Sequence, residues 1–375
     1  MTHPAPASIA ISDDGRRIVV TWSSGGQTAA PAAWLYDNAV DGFDPASGHR
    51  RHSALALAGA QQVEDAQVED GAVRLRFAPG GEVRRVAFAA LAGIHASRPE
   101  EPLPWPNADA ITSAPAVDFR AYLEDDDTLG LALAAVVRHG IVFFSNAGTE
   151  PRSVERLVAR FGYVRETNYG RLFDVREEAV AAHLAYTATG LDLHTDNPYR
   201  DPVPTLQALH VIEAAASGGE SRFADGFAHA VALKAEAPER FAILAETPVE
   251  FAYMGPSGER YAAHAPVIES STEGAVTAVR VNHRALRSPP PDVAERWYEA
   301  YLDFYERLHA PRACLQRRLA PGEVVLMDNR RVLHGRSAYQ GGAEGRWLQG
   351  CYADMDGLRA TLSRLAGDAS TEADR

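Results

Sequence analysis

His194 and Asp196 stand two residues apart in Gly190-Leu-Asp-Leu-His-Thr-Asp-Asn197. In an extended strand that spacing puts an imidazole and a carboxylate on the same face. They supply two ligands for a divalent metal, and a catalytic iron needs a third. His334, in Asp328-Asn-Arg-Arg-Val-Leu-His-Gly-Arg336, is the candidate. Two histidines and one carboxylate on one side of a metal make the facial triad of non-haem Fe(II) oxygenases, which leaves coordination positions open. His334 follows the apolar run Val324-Val-Leu-Met327 and the turn-like Asp328-Asn329. It is therefore expected at a strand end, where a barrel mouth would open.

Arg346 lies twelve residues beyond His334, on another expected strand. A guanidinium there can clamp the far carboxylate of a dicarboxylate cosubstrate while that cosubstrate chelates the iron. The rival chemistries fit less well. A zinc hydrolase could use two histidines and a carboxylate, but it gives Arg346 no role. A serine hydrolase needs Gly-x-Ser-x-Gly on a strand–helix turn, and the sequence has none. Gly341-Gly-Ala-Glu-Gly345 is a weak phosphate loop, because a strand rather than a helix is expected to follow it. A non-catalytic jelly-roll binding protein is the remote alternative.

The elements that must carry these residues read mainly as strands. Residues 8 to about 95 hold β-rich runs such as Arg17-Ile-Val-Val-Thr-Trp22 and Val73-Arg-Leu-Arg-Phe77, with hairpin-turn chemistry at Asp13-Asp-Gly15 and Pro79-Gly-Gly81. The expected organisation is a small all-β domain over 1–98, a proline-rich connector over 99–115 and a catalytic domain over 116–375. In the last, helices are expected over Thr128 to Arg138, Ser153 to Arg160, Gly226 to Leu244 and Asp292 to His309, the last with Asp292 as N-cap. Strand-like pieces run through Asn168-Tyr-Gly170, Asp192 to His194, Leu206 to Ile212, Glu323 to Met327 and Trp347 to Tyr352. Helices that do not alternate with the strands favour a jelly roll with flanking helices over a doubly wound sheet. A net charge of -13 argues against nucleic acid as partner. No run approaches the ~18 apolar residues of a membrane span, and the N-terminus lacks a secretory pattern. A cytoplasmic protein without a membrane partner is the expectation. Only Cys314 and Cys351 occur, which leaves no disulfide framework.

The chain resembles the γ-butyrobetaine and trimethyllysine hydroxylase branch of the 2-oxoglutarate-dependent oxygenases. The resemblance runs through His194-Thr-Asp196, Asp328 to Arg336, Gly345-Arg-Trp-Leu-Gln-Gly-Cys-Tyr-Ala-Asp354 and, near the start, Trp34-Leu-Tyr-Asp-Asn38. It implies a double-stranded β-helix in which His194, Asp196 and His334 hold Fe(II) and Arg346 binds 2-oxoglutarate. O2 is consumed, and ascorbate serves as reductant in vitro. With Asp196 present rather than a small residue, hydroxylation and not halogenation is implied. Some relatives carry a cysteine-rich zinc site in the N-terminal domain; residues 39–49 lack cysteine, so no structural zinc is expected. Relatives are often dimers, which carries over as an expectation of a homodimer.

By the same resemblance an aromatic cage for a trimethylammonium group maps onto Tyr169, Phe173, Tyr186 and Tyr352. Such a group donates no hydrogen bond and is recognised by ring faces, at about 0.5–2 kcal/mol each. The anionic end maps onto His183, Asn197 and Asn282, with His283 or Arg284 beside it. His183 and Asn197 stand where the butyrobetaine enzymes place asparagine and tyrosine. More donors around the anion suit a tetrahedral phosphonate better than a carboxylate. The favoured small-molecule substrate is therefore 2-(trimethylammonio)ethylphosphonate, hydroxylated next to phosphorus with succinate and CO2 as coproducts. The alternative is γ-butyrobetaine, giving carnitine.

Overall fold

The computed structural model describes residues 5–93, 102–111, 116–176, 189–339 and 346–373. The chain forms two compact units, Met1–Pro99 and Glu100–Arg375.

In the first unit, β1 (Pro6–Ile11), β2 (Arg17–Trp22) and β3 (Gln27–Pro31) make one antiparallel sheet. A short helix, α1 (Ala32–Asp37), follows it. A second antiparallel sheet holds β4 (Gln62–Glu69), β5 (Ala72–Ala78) and β6 (Glu82–Ala87), and α2 (Phe88–Leu91) ends the unit. Alternate residues of β2 (Ile18, Val20, Trp22) and of β5 (Val73, Leu75, Phe77) share one core. β3 and β4 escape a pattern reading because each buries a single apolar side chain, Ala30 and Val63 respectively.

In the second unit residues 102–111, which include Trp105, precede β7 (Ala116–Asp118), α3 (Phe119–Glu124), α4 (Asp126–His139), β8 (Ile141–Ser145) and α5 (Ser153–Ala159). Asp125 caps α4 by accepting from the Thr128 N–H, and Gly140 ends it with a φ of 76° that an L side chain resists. Then come β9 (Phe173–Arg176), β10 (Leu191–His194), β11 (Leu206–Glu213) and β12 (Ser221–Asp225). The helical pattern over 226–244 is two helices, α6 (Gly226–Glu236) and α7 (Pro238–Glu246). Pro238 cannot continue α6 and instead starts α7. Two hairpins follow, β13 (Val249–Met254) with β14 (Arg260–Ala265) and β15 (Ile268–Ser270) with β16 (Val276–Val279). α8 (Ala294–His309) has Val293 rather than Asp292 at its cap position. The chain closes with β17 (Leu315–Arg317), β18 (Val324–Asp328), β19 (Val332–Arg336), β20 (Trp347–Ala353) and α9 (Met355–Ala373).

Two sheets form the jelly roll expected from the sequence. One has the order β7-β8-β18-β11-β20-β9 and the other β10-β19-β12-β17, antiparallel apart from β7 with β8. β18 explains the architecture in miniature. Val325 and Met327 point between the sheets, where they meet Phe143, Phe223 and Leu348. Val324 and Leu326 point outward into a layer formed with α3, α4, α5 and α9. A strand buried on both faces reads as a continuous apolar run. The second sheet is covered by α6, α7 and α8, whose Phe227, Leu244, Trp297 and Phe304 pack with Leu193 and Leu333. The connector expected to be merely extended is partly core: Trp105 is buried, its indole N–H donating to the His139 carbonyl and its backbone N–H to Asp225.

Candidate active site

His194 is the last residue of β10 and His334 the middle residue of β19, and the two are cross-strand partners. His334 thus sits inside a strand and not at a strand end, because the Asp328–Arg331 turn is tight enough for β19 to start at Val332. The two imidazole centroids lie 4.5 Å apart. Asp196 lies beyond the end of β10, so strand alternation does not place it. The amide of buried Asn329 does: its Oδ1 accepts from the Asp196 N–H at 2.7 Å and its Nδ2 donates to the Asp196 carbonyl at 2.9 Å.

Those placements bring ligand atoms of His194, Asp196 and His334 within 4.8 Å of one another. His194 Nε2 is 3.2 Å from Asp196 Oδ1, and His334 Nε2 is 3.8 Å from Asp196 Oδ2. The donor set fits a divalent metal. His194 Nδ1 is 2.8 Å from the Asp192 carbonyl, which fixes the proton on Nδ1 and leaves the Nε2 lone pair for a metal. Burial, with the neighbouring His194, pushes His334 down to about 4, so it is a neutral ligand at physiological pH. Burial alone would raise the Asp196 carboxyl. The two imidazoles and the Tyr352 hydroxyl outweigh it and hold that carboxyl well below the usual range, so it is ionised.

The triad opens on a cavity of about 310 Å³. On one side Arg346, immediately before β20, is 8% exposed, and burial with the nearby Arg336 cation brings its pKa down to about 10. Among the described residues no carboxylate pairs with it. A buried cation without a counter-charge is costly, and a dicarboxylate reaching from the metal would supply one. Ser221, Leu319 and Leu348 line the wall around it.

The other side of the cavity is aromatic. Phe173 on β9 stacks on Tyr352 of β20 with centroids 5.0 Å apart, and Tyr169 is 6.4 Å from Phe173. Tyr169 sits in the turn closed between Thr167 and Gly170, not in a strand. Burial first, and then the Tyr199 hydroxyl, pushes Tyr169 far above the ordinary phenol range, so it is a neutral ring. Asn197, Asn282 and Arg284 line the same space. Arg284 faces it, whereas His283 turns away to stack on Tyr301, centroids 5.9 Å apart. Asn197 adopts a φ of 55°, and its Oδ1 accepts from Tyr199 at 2.9 Å. Asn282 Nδ2 donates to the Thr195 carbonyl at 3.2 Å. His183 and Tyr186 lie outside the described residues.

Sequence reasoning missed Tyr199, Tyr253, Gln207 and Asn329. Tyr199 and Tyr253 stack with centroids 4.9 Å apart, and both line the cavity. Gln207 donates to Asp196 Oδ2 at 2.7 Å. Only Asn329 had a sequence signal, its place in the motif that ends in His334.

A jelly roll with this triad and a buried arginine facing it defines an Fe(II)- and 2-oxoglutarate-dependent dioxygenase, which uses O2. Comparison with known proteins agrees. The model of the taurine catabolism dioxygenase TauD, TfdA family matches residues 101–352. The γ-butyrobetaine dioxygenase of Pseudomonas sp. (strain AK-1) is 38% identical over 366 residues, covering 93% of this chain and 92% of that protein. The mitochondrial trimethyllysine dioxygenase of Bos taurus is 32% identical over 260 residues, covering 68% and 61%. The crystal structure of asparagine oxygenase with Fe(II), 3-hydroxyasparagine and succinate has a TM-score of 0.50 at 21% identity, covering 69% of this chain and 86% of that one. That likeness shows the fold alone. The chain belongs to the TauD, TfdA dioxygenase family, in its γ-butyrobetaine and trimethyllysine dioxygenase branch. Among the described residues no helix is long and apolar enough to cross a membrane.

Proposed function

We propose that this enzyme hydroxylates a small trimethylammonium zwitterion, with γ-butyrobetaine as the first candidate. The observation that carries the reading is the aromatic wall of Tyr169, Phe173 and Tyr352 in the cavity that also holds the triad. A quaternary ammonium gains about 0.5–2 kcal/mol from each such ring face. Similarity to a γ-butyrobetaine dioxygenase over 93% of the chain supports a carboxylate at the other end.

His194, Asp196 and His334 would hold the iron, and Arg346 the distal carboxylate of 2-oxoglutarate. Bound there, Fe(II) with 2-oxoglutarate and O2 supplies the oxidising power that turns a C–H bond into C–OH, leaving succinate and CO2. The protein's part is orientation and exclusion of water. The Asp192 carbonyl fixes the His194 ring and the Asn329 amide fixes the Asp196 backbone. In this reading the aromatic rings hold the cationic end, and Asn197, Asn282 and Arg284, which line the same cavity, take the anionic one.

A second reading, 2-(trimethylammonio)ethylphosphonate, is favoured by Arg284, a full positive charge lining the cavity together with two asparagine amides. A phosphonate near -2 uses that many donors better than a carboxylate. Turnover of both compounds by the Fe(II)-loaded enzyme, followed as hydroxylated product and succinate, separates them. Carnitine formation is expected. A preference for the phosphonate above about tenfold transfers the assignment to it, and turnover of neither sinks both readings.

A further inference from the structure

Gln207 and Tyr352 are cross-strand partners on β11 and β20, and both line the cavity. They converge on one atom. Gln207 Nε2 donates to Asp196 Oδ2 at 2.7 Å, and the Tyr352 hydroxyl donates to the same oxygen at 2.8 Å. With His210, Gln207 is one of two buried polar residues on β11, where Leu206, Ala208, Val211 and Ile212 are buried apolar residues; of the two, only Gln207 lines the cavity. It too is buried, and among the described residues its Oε1 has no hydrogen-bond partner. A buried amide with one unsatisfied end is retained against its desolvation cost. Its hydrogen bond to Asp196 is what that amide does in the fold. Tyr352 reaches the carboxylate from the opposite direction in function: its ring is stacked on Phe173 and forms part of the aromatic wall.

We propose that Gln207 and Tyr352 are paired positioning residues that hold Asp196 Oδ2 and thereby present Oδ1, 3.2 Å from His194 Nε2, to the metal position. Tyr352 adds a second consequence. A phenol is rigid from ring to oxygen, so a ligand seated against the ring bears on the metal-ligating carboxylate through one side chain. The pair thus ties occupancy of the substrate side to the geometry of the iron side. The metal half of this inference stands on the hydrogen bonds alone; the substrate half rests on the trimethylammonium reading above.

The test is anaerobic equilibrium binding of Fe(II) to the full-length apoenzyme and to Tyr352→Phe, Gln207→Leu and Tyr352→Leu, by competition with a coloured chelator. Loss of an outer hydrogen bond to a metal ligand lowers metal affinity roughly 10- to 100-fold, and that fall is expected in Tyr352→Phe and in Gln207→Leu. A shift of the visible charge-transfer band that forms with 2-oxoglutarate is expected in the same two variants. Tyr352→Phe keeps the ring, so its KM for γ-butyrobetaine should stay within about threefold of the parent's. Tyr352→Leu should raise that KM several-fold further, since a ring face is lost. Tyr352→Phe should also consume more 2-oxoglutarate per hydroxylated product. Fe(II) affinities within twofold of the parent in both Tyr352→Phe and Gln207→Leu overturn the clamp. Equal rises in KM for Tyr352→Phe and Tyr352→Leu overturn the two-sided role. Should Gln207→Leu not fold, Gln207→Asn carries the same measurement, its amide being too short to reach. If the parent turns over neither trimethylammonium compound the substrate reading fails, while the Fe(II) arm still decides the clamp.

Discussion

Arg346 puts a buried guanidinium beside the metal position with no carboxylate of its own among the described residues. It is crowded instead by Arg336, itself only 4% exposed. That arrangement is unfavourable without an anion, which is what the proposed cosubstrate role of Arg346 would supply. A hydrogen bond to a charged group is worth about 1.5–3 kcal/mol. Arg346→Ala should therefore raise the KM for 2-oxoglutarate roughly 10- to 150-fold, with the Fe(II) affinity of the apoenzyme unchanged. Arg346→Lys should recover part of the loss, because an ammonium restores charge without the planar fork. Titration of 2-oxoglutarate against the parent and both variants reads this directly; an unchanged KM in Arg346→Ala would remove Arg346 from the cosubstrate site.

Elements set what residues cannot. The aromatic wall depends on a cross-strand pair in which Gly350 of β20 faces Phe173 of β9. A Cβ added at Gly350 would lie 2.4 Å from Phe173 Cζ and 2.9 Å from Leu209 Cδ2. The missing side chain is what lets the Phe173 ring lie over its neighbour strand and stack on Tyr352. Gly350→Ala must push that ring aside, so the KM for the trimethylammonium substrate should rise several-fold while the KM for 2-oxoglutarate holds. Equal KM values for substrate in parent and variant would place Phe173 outside the cage. The same dependence on strand register explains what the sequence revealed and what it hid. His194 and Asp196 are legible because two ligands fall within three residues. His334 and Arg346 are legible because each sits beside a strongly apolar strand. Gln207 is not, since only the pairing of β11 with β20 turns it toward Asp196, eleven residues away. Tyr253 is brought in by the β13–β14 hairpin, whose mixed burial gives no clean alternation. Residues 168–170 look strand-like in sequence because a tyrosine beside an apolar run has the same pattern in a strand and in the tight turn that Tyr169 occupies.

In the molecule as a whole, the segment ahead of the jelly roll is part of what keeps its second unit closed. Trp105 fills the space between the sheets with Ile141, Phe143 and Val332, and Val332 stands two positions before His334 on β19. Its backbone N–H donates to Asp225 Oδ2 at 2.9 Å, and Asp225 in turn carries a buried two-point ion pair with Arg331. Arg331 also donates to the Leu103 and Arg138 carbonyls. One guanidinium therefore ties the start of the unit, the end of α4 and the end of β12, the neighbour of β19. Trp105→Ala removes a fully buried indole and should cost about 3–5 kcal/mol. For a unit of this size each kcal/mol lowers Tm by about 2–4 °C, so a fall of the order of 10 °C is expected in a thermal melt of the full chain. Fe(II) affinity measured well below the transition should stay near the parent's, because the indole bonds to the His139 carbonyl and to no triad residue. A Trp105 variant that melts with the parent would mean that the proline-rich segment is a connector after all, and that the sheets close without it.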